Sequence, residues 1–341
     1  MKKKRFFLKA LLGLVILIIL AGFYFNYTVF SPIDDNNKEN ISIIIKKGST
    51  INDIAATLSK NGLIRSSLTF NIYTRFAGFD KKIIAGRFIL NKSMNVPEIL
   101  NKITTEAESE FVLTVQEGLT VQDIDDKLTE MEMINTGDFI KATKEFNDYD
   151  SYWFLNKEKM TALEAPLEGY LYPDTYFIDP VEFNAQDLIK KMLKNFEQKY
   201  KTLGEILLQE KIEPYKAIIM ASILQKEVRT PDDYNLVSGI LWKRLDSGWH
   251  LGADATILYA TKKKNIDQED LGIDSPYNTR LYTGLIPGPI CNPDIEHIKA
   301  AFTPQESEYW YYLTTLDTGA VIYAETNDEQ NINKARYLKN N

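Results

Sequence analysis

Pro214 to Arg229 reads PYKAIIMASILQKEVR, and its reading decides how the rest of the chain is understood. Pro214 suits the first turn of a helix, where its missing N–H leaves nothing unpaired. Ala217, Met220, Ala221 and Leu224 recur at helical spacing, and Glu227 and Val228 continue that stripe. Gln225 falls about 200° around the helix from Glu227, near Ser222 and Arg229. Glu227 is therefore the acidic group aligned with the apolar stripe. A carboxyl held against apolar neighbours loses hydration, which disfavours the anion and raises its pKa toward that of a general acid at neutral pH. Taken alone, a Glu in the last turn before TPDD also reads as a solvated end.

The segments that follow place this helix in a motif-dense region. DDYNLVSGILWKRLDSG reads as an amphipathic helix with Leu236, Ile240, Leu241 and Leu245 inward and Gly248 ending it. In HLGADATILYATKK, Asp254 is placed to cap a short helix carrying Thr256 and Tyr259. Ser275 to Pro293, SPYNTRLYTGLIPGPICNP, is too rich in Pro, Gly and Asn for helix or central strand and reads as an ordered loop. Tyr277, Asn278 and Thr279 give that loop an aromatic face beside amide and hydroxyl groups, suited to sugars or simply to locking turns. LEGYLYPDTYFI, from Leu167, brings Glu168 and Asp174 as further carboxylates that orient sugar or cap helices.

Upstream, a segment repeats at an offset of 70 residues. ISIIIKKGSTINDIAATLSKNGLI from Ile41 aligns with FVLTVQEGLTVQDIDDKLTEMEMI from Phe111, matching Gly48 with Gly118, Thr50 with Thr120, Asp53 with Asp123 and Leu58 with Leu128. Each copy predicts a strand, a glycine turn, a Thr cap and an amphipathic helix. Between them SSLTFNIYTRFAG predicts a helix, IIAGRFIL a strand, and NVPEILNKITT a helix with Pro97 in its first turn. Such units resemble LysM-type modules, which bind N-acetylglucosamine-containing glycans; they also read as plain α+β packing units.

Phe139 to Leu155 reads as aromatic and irregular, and Ala185 to Glu210 as one long helix. The C-terminal run predicts a hairpin around Asp317 to Gly319 and a closing amphipathic helix ending in RYL. Helices and strands mix without a βαβ rhythm, so the expected class is α+β.

At the N-terminus, KKKR (Lys2 to Arg5) precedes an apolar run in which Ala10 to Phe25 carries no charge. With its flanks this run exceeds the roughly 30 Å of hydrocarbon that a transmembrane helix crosses. The basic cluster places the N-terminus in the cytoplasm and the body outside the membrane. A cleavable signal peptide is the competing reading; bulky Phe23, Tyr24, Phe25 and Tyr27 stand where small cleavage-site residues belong. The expected organisation is a basic tail (1–9), a transmembrane anchor (10–30), a polar linker (31–40), a LysM-like subdomain (41–107) and an α+β catalytic domain (108–341).

Composition narrows the function classes. A net charge of -7 argues against a nucleic-acid binder. One cysteine, Cys291, and two histidines, His250 and His297, leave little for a metal centre or a nucleophile–histidine mechanism. No Gly-rich phosphate loop or dinucleotide fingerprint is present, so no cofactor is expected.

The order EGYLYPDTY, ASILQKE, LWKRLDSG, ADATILYA, SPYNTRLYTGLIPGPICNP and IKAAFTP resembles the endolytic murein transglycosylase (YceG-like) family from Ile41 to the C-terminus. The resemblance implies a membrane-anchored lyase that cleaves the β-1,4 bond between N-acetylmuramic acid and N-acetylglucosamine and leaves 1,6-anhydro ends. It implies Glu227 as the single acid/base, with Glu168, Asp254, Thr256, Tyr277, Asn278 and Thr279 as substrate-contact candidates. Its partners would be peptidoglycan strands, the cytoplasmic membrane and cell-wall synthases. Gly252, Ile286, Asp294 and Gln330 depart from the family pattern, which bears on substrate detail rather than on reaction class. A glycan-binding scaffold without turnover and a hydrolytic muramidase remain the rival readings.

Overall fold

The N-terminal run forms one helix, α1 (Lys2–Phe30), of which Leu11–Phe30 is long and apolar enough to cross a membrane, as an anchor or a signal sequence does. The structure, a computed structural model, describes residues 2–46, 48–105, 111–180, 182–208, 212–315 and 319–337. The chain divides into two compact units, Met1–Phe111 with Phe177–Phe183, and Val112–Tyr176 with Asn184–Asn341.

In the first unit, β1 (Ile41–Ile45) precedes α2 (Ile51–Lys60) and α3 (Ser67–Phe76); β2 (Gly86–Leu90) and α4 (Val96–Thr105) follow. The strands pair antiparallel, from Ile41 opposite Leu90 to Ile45 opposite Gly86. Alternation along β1 and β2 sends Ile43, Ile45, Phe88 and Leu90 to one face. There they meet Ile54 and Leu58 of α2, Phe70 of α3, and Ile99, Leu100 and Ile103 of α4. Val29, from the last turn of α1, is fully buried in the same core.

The second copy of the repeat is β3 (Phe111–Thr114) and α5 (Val121–Glu130). Its local structure reproduces the first. Gly48 and Gly118 turn at φ +83° and +77°, a region that disfavours any side chain. Thr50 and Thr120 then accept from the amides of Asp53 and Asp123, whose carboxylates accept from the threonine amides in return. This reciprocal capping satisfies two otherwise unpaired donors at each helix start. The first copy lies in the first unit, and the second, from Val112 on, in the other.

The chain continues with α6 (Asp138–Lys144), α7 (Lys157–Thr161), β4 (Thr175–Ile178), α8 (Ala185–Lys201), α9 (Glu205–Leu208), α10 (Pro214–Glu227), α11 (Tyr234–Asp246), α12 (Asp254–Thr261) and α13 (Ile295–Phe302), all in the second unit except the last two residues of β4. The hairpin strands β5 (Tyr311–Thr314) and β6 (Val321–Ala324) and helix α14 (Asn327–Tyr337) close the chain. β3 pairs with β4, and β5 with β6. Among the described residues the architecture is thus mostly helical with small two-stranded sheets, a helix-weighted version of the α+β expectation.

Several elements differ from their sequence expectation. The aromatic stretch after Phe139 is partly helical, because buried Asp125 accepts from the amides of Gly137, Phe139 and Ile140 and so caps α6 from another helix. The long helix from Ala185 ends at Lys201, breaks at Gly204 (φ +47°) and resumes as α9; residues 209–210 lie outside the described residues. Asp317 and Thr318 of the expected hairpin turn, and Leu338 of the closing RYL, also lie outside them. In α14 only Gln330 is buried. In α11, Val237 rather than Leu236 is fully buried, and Gly239 admits the Gln305 carbonyl, which would stand 1.8 Å from a Cβ there.

Candidate active site

α10 is not amphipathic. Every residue from Ala217 to Leu224 is buried, so this is the central helix of its unit, with the Ser275–Pro293 loop packed on it. Ser222 donates to the Ile219 carbonyl and accepts from the Ile290 amide, while the Cys291 thiol donates to the Ser222 carbonyl. Tyr215 donates to the Pro287 carbonyl. Cys291 is a small packed residue, and burial pushes its thiol up.

Glu227 is the last residue of this buried helix, where the chain emerges, and it is itself half-buried. Desolvation, then the neighbouring Asp254 carboxylate, push its carboxyl up to about 7. The negative end of the α10 dipole acts in the same direction. Three groups hold it down from going further: the Ala255 amide at the start of α12, the Tyr312 hydroxyl and the Arg244 guanidinium. Tyr312 donates to Glu227 Oε2 at 3.3 Å, and Thr314 donates to the Glu227 carbonyl at 3.2 Å. A carboxyl at about 7 that solvent still reaches is able both to give and to take a proton at neutral pH.

The supports of this carboxyl come from distant parts of the sequence. Strand β5 presents Tyr312, whose carbonyl accepts from Gln330 Nε2 at 3.0 Å, so α14 fixes the strand from behind. Arg244 of α11 donates to the Trp310 and Leu251 carbonyls and lies over the rings of Tyr311 and Tyr312. Sequence reasoning missed Tyr312, Arg244 and Ala255. The available signal was the YWYY run, an aromatic cluster on a strand of the motif-dense region.

Asp254 does not cap α12. Ala253 occupies the cap, and Asp254, the first helical residue, is exposed and bound by Arg280 Nε and Nη2 at 2.8 and 2.5 Å. Thr256 and Thr279 are buried, with hydroxyls 3.0 Å apart; Thr279 accepts from the Ala253 amide and Thr256 donates to the Ala253 carbonyl. They staple the loop to the start of α12, the element that carries the Ala255 amide. Asn278 is fully buried, donating to the Leu271 and Ile273 carbonyls and accepting from the Arg280 amide. Tyr277 is half-buried against Tyr259, ring centroids 5.1 Å apart.

Glu168 is 2% exposed and takes no part in setting the Glu227 carboxyl. Both its oxygens lie 3.1 Å from the Val121 amide at the start of α5, and Asn292 Nδ2 and the Tyr259 hydroxyl complete its shell. Burial pushes it up to about 8. Asn292 also accepts from the Gly169 and Leu171 amides and donates to the Leu119 carbonyl. This is a brace, closed to solvent. Gln225 accepts from the Asp294 amide, away from Glu227, and Asp174 is held by Asn195.

The residues that depart from the expected pattern have places of their own. Gly252 turns at φ +65° and donates to the Thr279 carbonyl; Ile286 is buried; Asp294 caps α13 through the His297 amide. A cleft lined by Pro231, Tyr234, Asn235, Asp294, Glu296 and Lys299 opens elsewhere on this unit and includes no candidate residue.

Residues 43–336 match the YceG-like family. The chain belongs to that family. It is 32% identical over 335 residues to an endolytic murein transglycosylase of Bacillus subtilis, covering 94% of this chain and 91% of that protein. It is 29% identical over 362 residues to an endolytic murein transglycosylase of Streptococcus pneumoniae, covering 95% of this chain and 64% of the pneumococcal protein, less than two thirds of its length. The crystal structure of a YceG-like protein from Listeria monocytogenes superposes with a TM-score of 0.62 at 29% identity, covering 87% of this chain and all of that one. As a YceG-like protein, this chain brings together Glu227, Asp254 and the Ala255 amide at the α12 start, while Glu168 is held by the Val121 amide, Asn292 and Tyr259.

Proposed function

We propose that this YceG-like chain is a lytic transglycosylase of peptidoglycan, anchored in the cytoplasmic membrane by α1, with Glu227 as its only acid/base. The observation that carries the reading is the half-buried Glu227 carboxyl, raised to about 7 and flanked by Tyr312 and the Ala255 amide. The names of the Bacillus and pneumococcal relatives supply the substrate class.

In the proposed reaction, Glu227 gives its proton to the glycosidic oxygen as the bond from C1 of N-acetylmuramic acid to O4 of N-acetylglucosamine breaks. The sugar's own O6 then bonds to C1, and the carboxylate of Glu227 takes the proton that O6 releases. No water is consumed, the acid is regenerated, and a second carboxylate is unnecessary because the nucleophile belongs to the substrate, unlike most glycoside hydrolases. Asp254 and Tyr277 are the candidate residues still open to sugar. Thr256, Asn278 and Thr279 position the loop and α12, and Glu168 braces α5.

The proposed boundaries are a cytoplasmic tail to residue 9, the anchor at 10–30, a linker at 31–40, a LysM-like glycan-contacting part at 41–107 and the catalytic part at 108–341. Cell-wall synthases are the proposed protein partners.

Digestion of glycan strands in isotopically labelled water, with mass spectrometry of the new ends, tests the reaction. Unlabelled 1,6-anhydro ends are expected. Labelled reducing ends would mean a hydrolytic muramidase, and intact strands a binding scaffold.

Tyr312→Phe gives a separate check on the acid. The hydroxyl bonds the carboxylate and so favours the anion; without it the carboxyl rises further. Activity that requires the protonated acid should then extend to higher pH, with turnover lowered by roughly tenfold as the carboxyl loses its orienting bond. A pH profile superimposable on the wild type would remove Tyr312 from the site.

A further inference from the structure

Helix α3 carries Leu68, Ile72 and Phe76 at a spacing of four residues, 69, 49 and 90% exposed. Its opposite flank is committed to the core through Thr69, Phe70 and Thr74. Three large apolar side chains in a row on a ten-residue helix need a partner in water.

The surroundings of the stripe point to which partner. The last turns of α1 hold exposed Phe23, Tyr24, Tyr27 and Phe30, the residue types that gather where a membrane span meets the headgroups. α3 lies beside those turns. Phe30 meets Tyr73 edge-on at 5.6 Å, and the Arg65 guanidinium, just before α3, lies 4.6 Å over the Tyr27 ring while bonding the Pro32 and Ile33 carbonyls. Val29 is fixed in the core of the unit, so α3 is held at the level where the apolar span ends.

Charge adds an independent argument. Between Lys60 and Lys92 seven basic side chains stand against the single acidic Asp80, in a chain whose net charge is -7. Lys60, Arg75, Lys81 and Lys82 of this group are exposed.

We propose that α3 is an interfacial helix: Leu68, Ile72 and Phe76 dip into the outer leaflet of the membrane that α1 spans, while Arg75, Lys81 and Lys82 engage anionic phospholipid headgroups. Apolar insertion beside basic side chains is how in-plane helices bind anionic bilayers. The inference rests on reading α1 as a retained anchor.

The test uses the full chain reconstituted into vesicles of phosphatidylglycerol and phosphatidylcholine, or of phosphatidylcholine alone. Ala77→Cys, beside Phe76 and exposed, receives an environment-sensitive fluorophore; Cys291 is fully buried and stays unlabelled. Nitroxides placed near the lipid headgroups should quench this probe strongly in the anionic vesicles, and less in phosphatidylcholine or at high salt. Each apolar side chain withdrawn from lipid changes partition by roughly tenfold, so Leu68→Ser, Ile72→Ser and Phe76→Ser together should abolish most of the quenching. These side chains are exposed, and an unchanged melting temperature would show that the unit stays folded. Flotation with the vesicles after alkaline washing reports the anchor separately. A chain that fails to float overturns the anchor reading and this proposal together. A chain that floats with its residue-77 probe unquenched in either lipid overturns this proposal alone. Shielding of the probe only when a second membrane protein is added would overturn it in favour of a protein partner.

Discussion

Glu227→Gln is expected to lower turnover on glycan strands by about four orders of magnitude, at or beyond the upper end of general acid–base catalysis, because in the proposed reaction one carboxyl serves both proton transfers. The amide retains the shape and still accepts from Tyr312, so the loss reads the proton and not the fold. Stability should move the other way. The wild-type carboxyl holds its proton in the folded state up to about 7, whereas an unfolded Glu releases it near 4.5. Folding therefore loses stability as pH rises from about 4.5 to 7, by at most about 3 kcal/mol, since solvent reaching the half-buried side chain screens it. The Gln variant lacks this loss. Below about pH 4.5 its melting temperature should match the wild type, and at pH 8 it should exceed it. Full activity in this variant would move the acid elsewhere; a wild-type alkaline limb far from 7 would do the same to the proton assignment.

Glu168 carries the second large effect, on stability. Glu168→Ala removes the acceptor of the Val121 amide at the start of α5, takes one of the two acceptors of Asn292 Nδ2 and leaves the Tyr259 hydroxyl without its carboxyl partner in a place closed to water. Leaving such groups unpaired costs about 3 kcal/mol or more, a fall of roughly 6–12 °C in melting temperature for a unit of this size. Glu168→Gln is the informative partner. With the wild-type carboxyl raised to about 8, it is protonated at neutral pH, and the amide copies one acceptor and one donor. The Gln variant should therefore melt near the wild type at pH 7. It should overtake the wild type above pH 8, where the native group is forced to ionise in a buried site. Turnover measured on the folded fraction should survive both changes. A specific collapse of turnover in a stable Glu168→Gln protein would make this residue a second catalytic carboxylate.

How much of this was legible depends on whether the deciding contact is local. The capping boxes at Thr50 and Thr120 are made within four residues, and both copies of the repeat were readable as strand, turn and helix. Helical phase set Glu227 apart from Gln225, although its premise, an amphipathic α10, does not hold: the helix is buried on all sides and Glu227 stands out by being at its end. Polar residues in the Ser275–Pro293 loop look like sugar contacts in sequence. In the fold, Asn278 and Thr279 spend their hydrogen bonds on the backbone of a loop that has no helix or ladder to satisfy it. The α6 cap from Asp125 and the Tyr312 contact come from other elements, and nothing in the local pattern announces which helix end a strand will face.

Tyr312 lies 85 residues after the carboxyl it touches, and Gln330, which fixes its strand, another 18 on. Synthesis therefore delivers the Glu227 carboxyl before the hydroxyl that bonds it, and that hydroxyl before the helix that steadies its strand. A chain cut short before Gln330 contains the whole of α10 and the loop packed on it, yet lacks the helix that steadies β5. Proteolytic loss of that end should loosen the Tyr312 bond and so approach the Tyr312→Phe behaviour, with turnover roughly tenfold lower and a carboxyl that titrates higher.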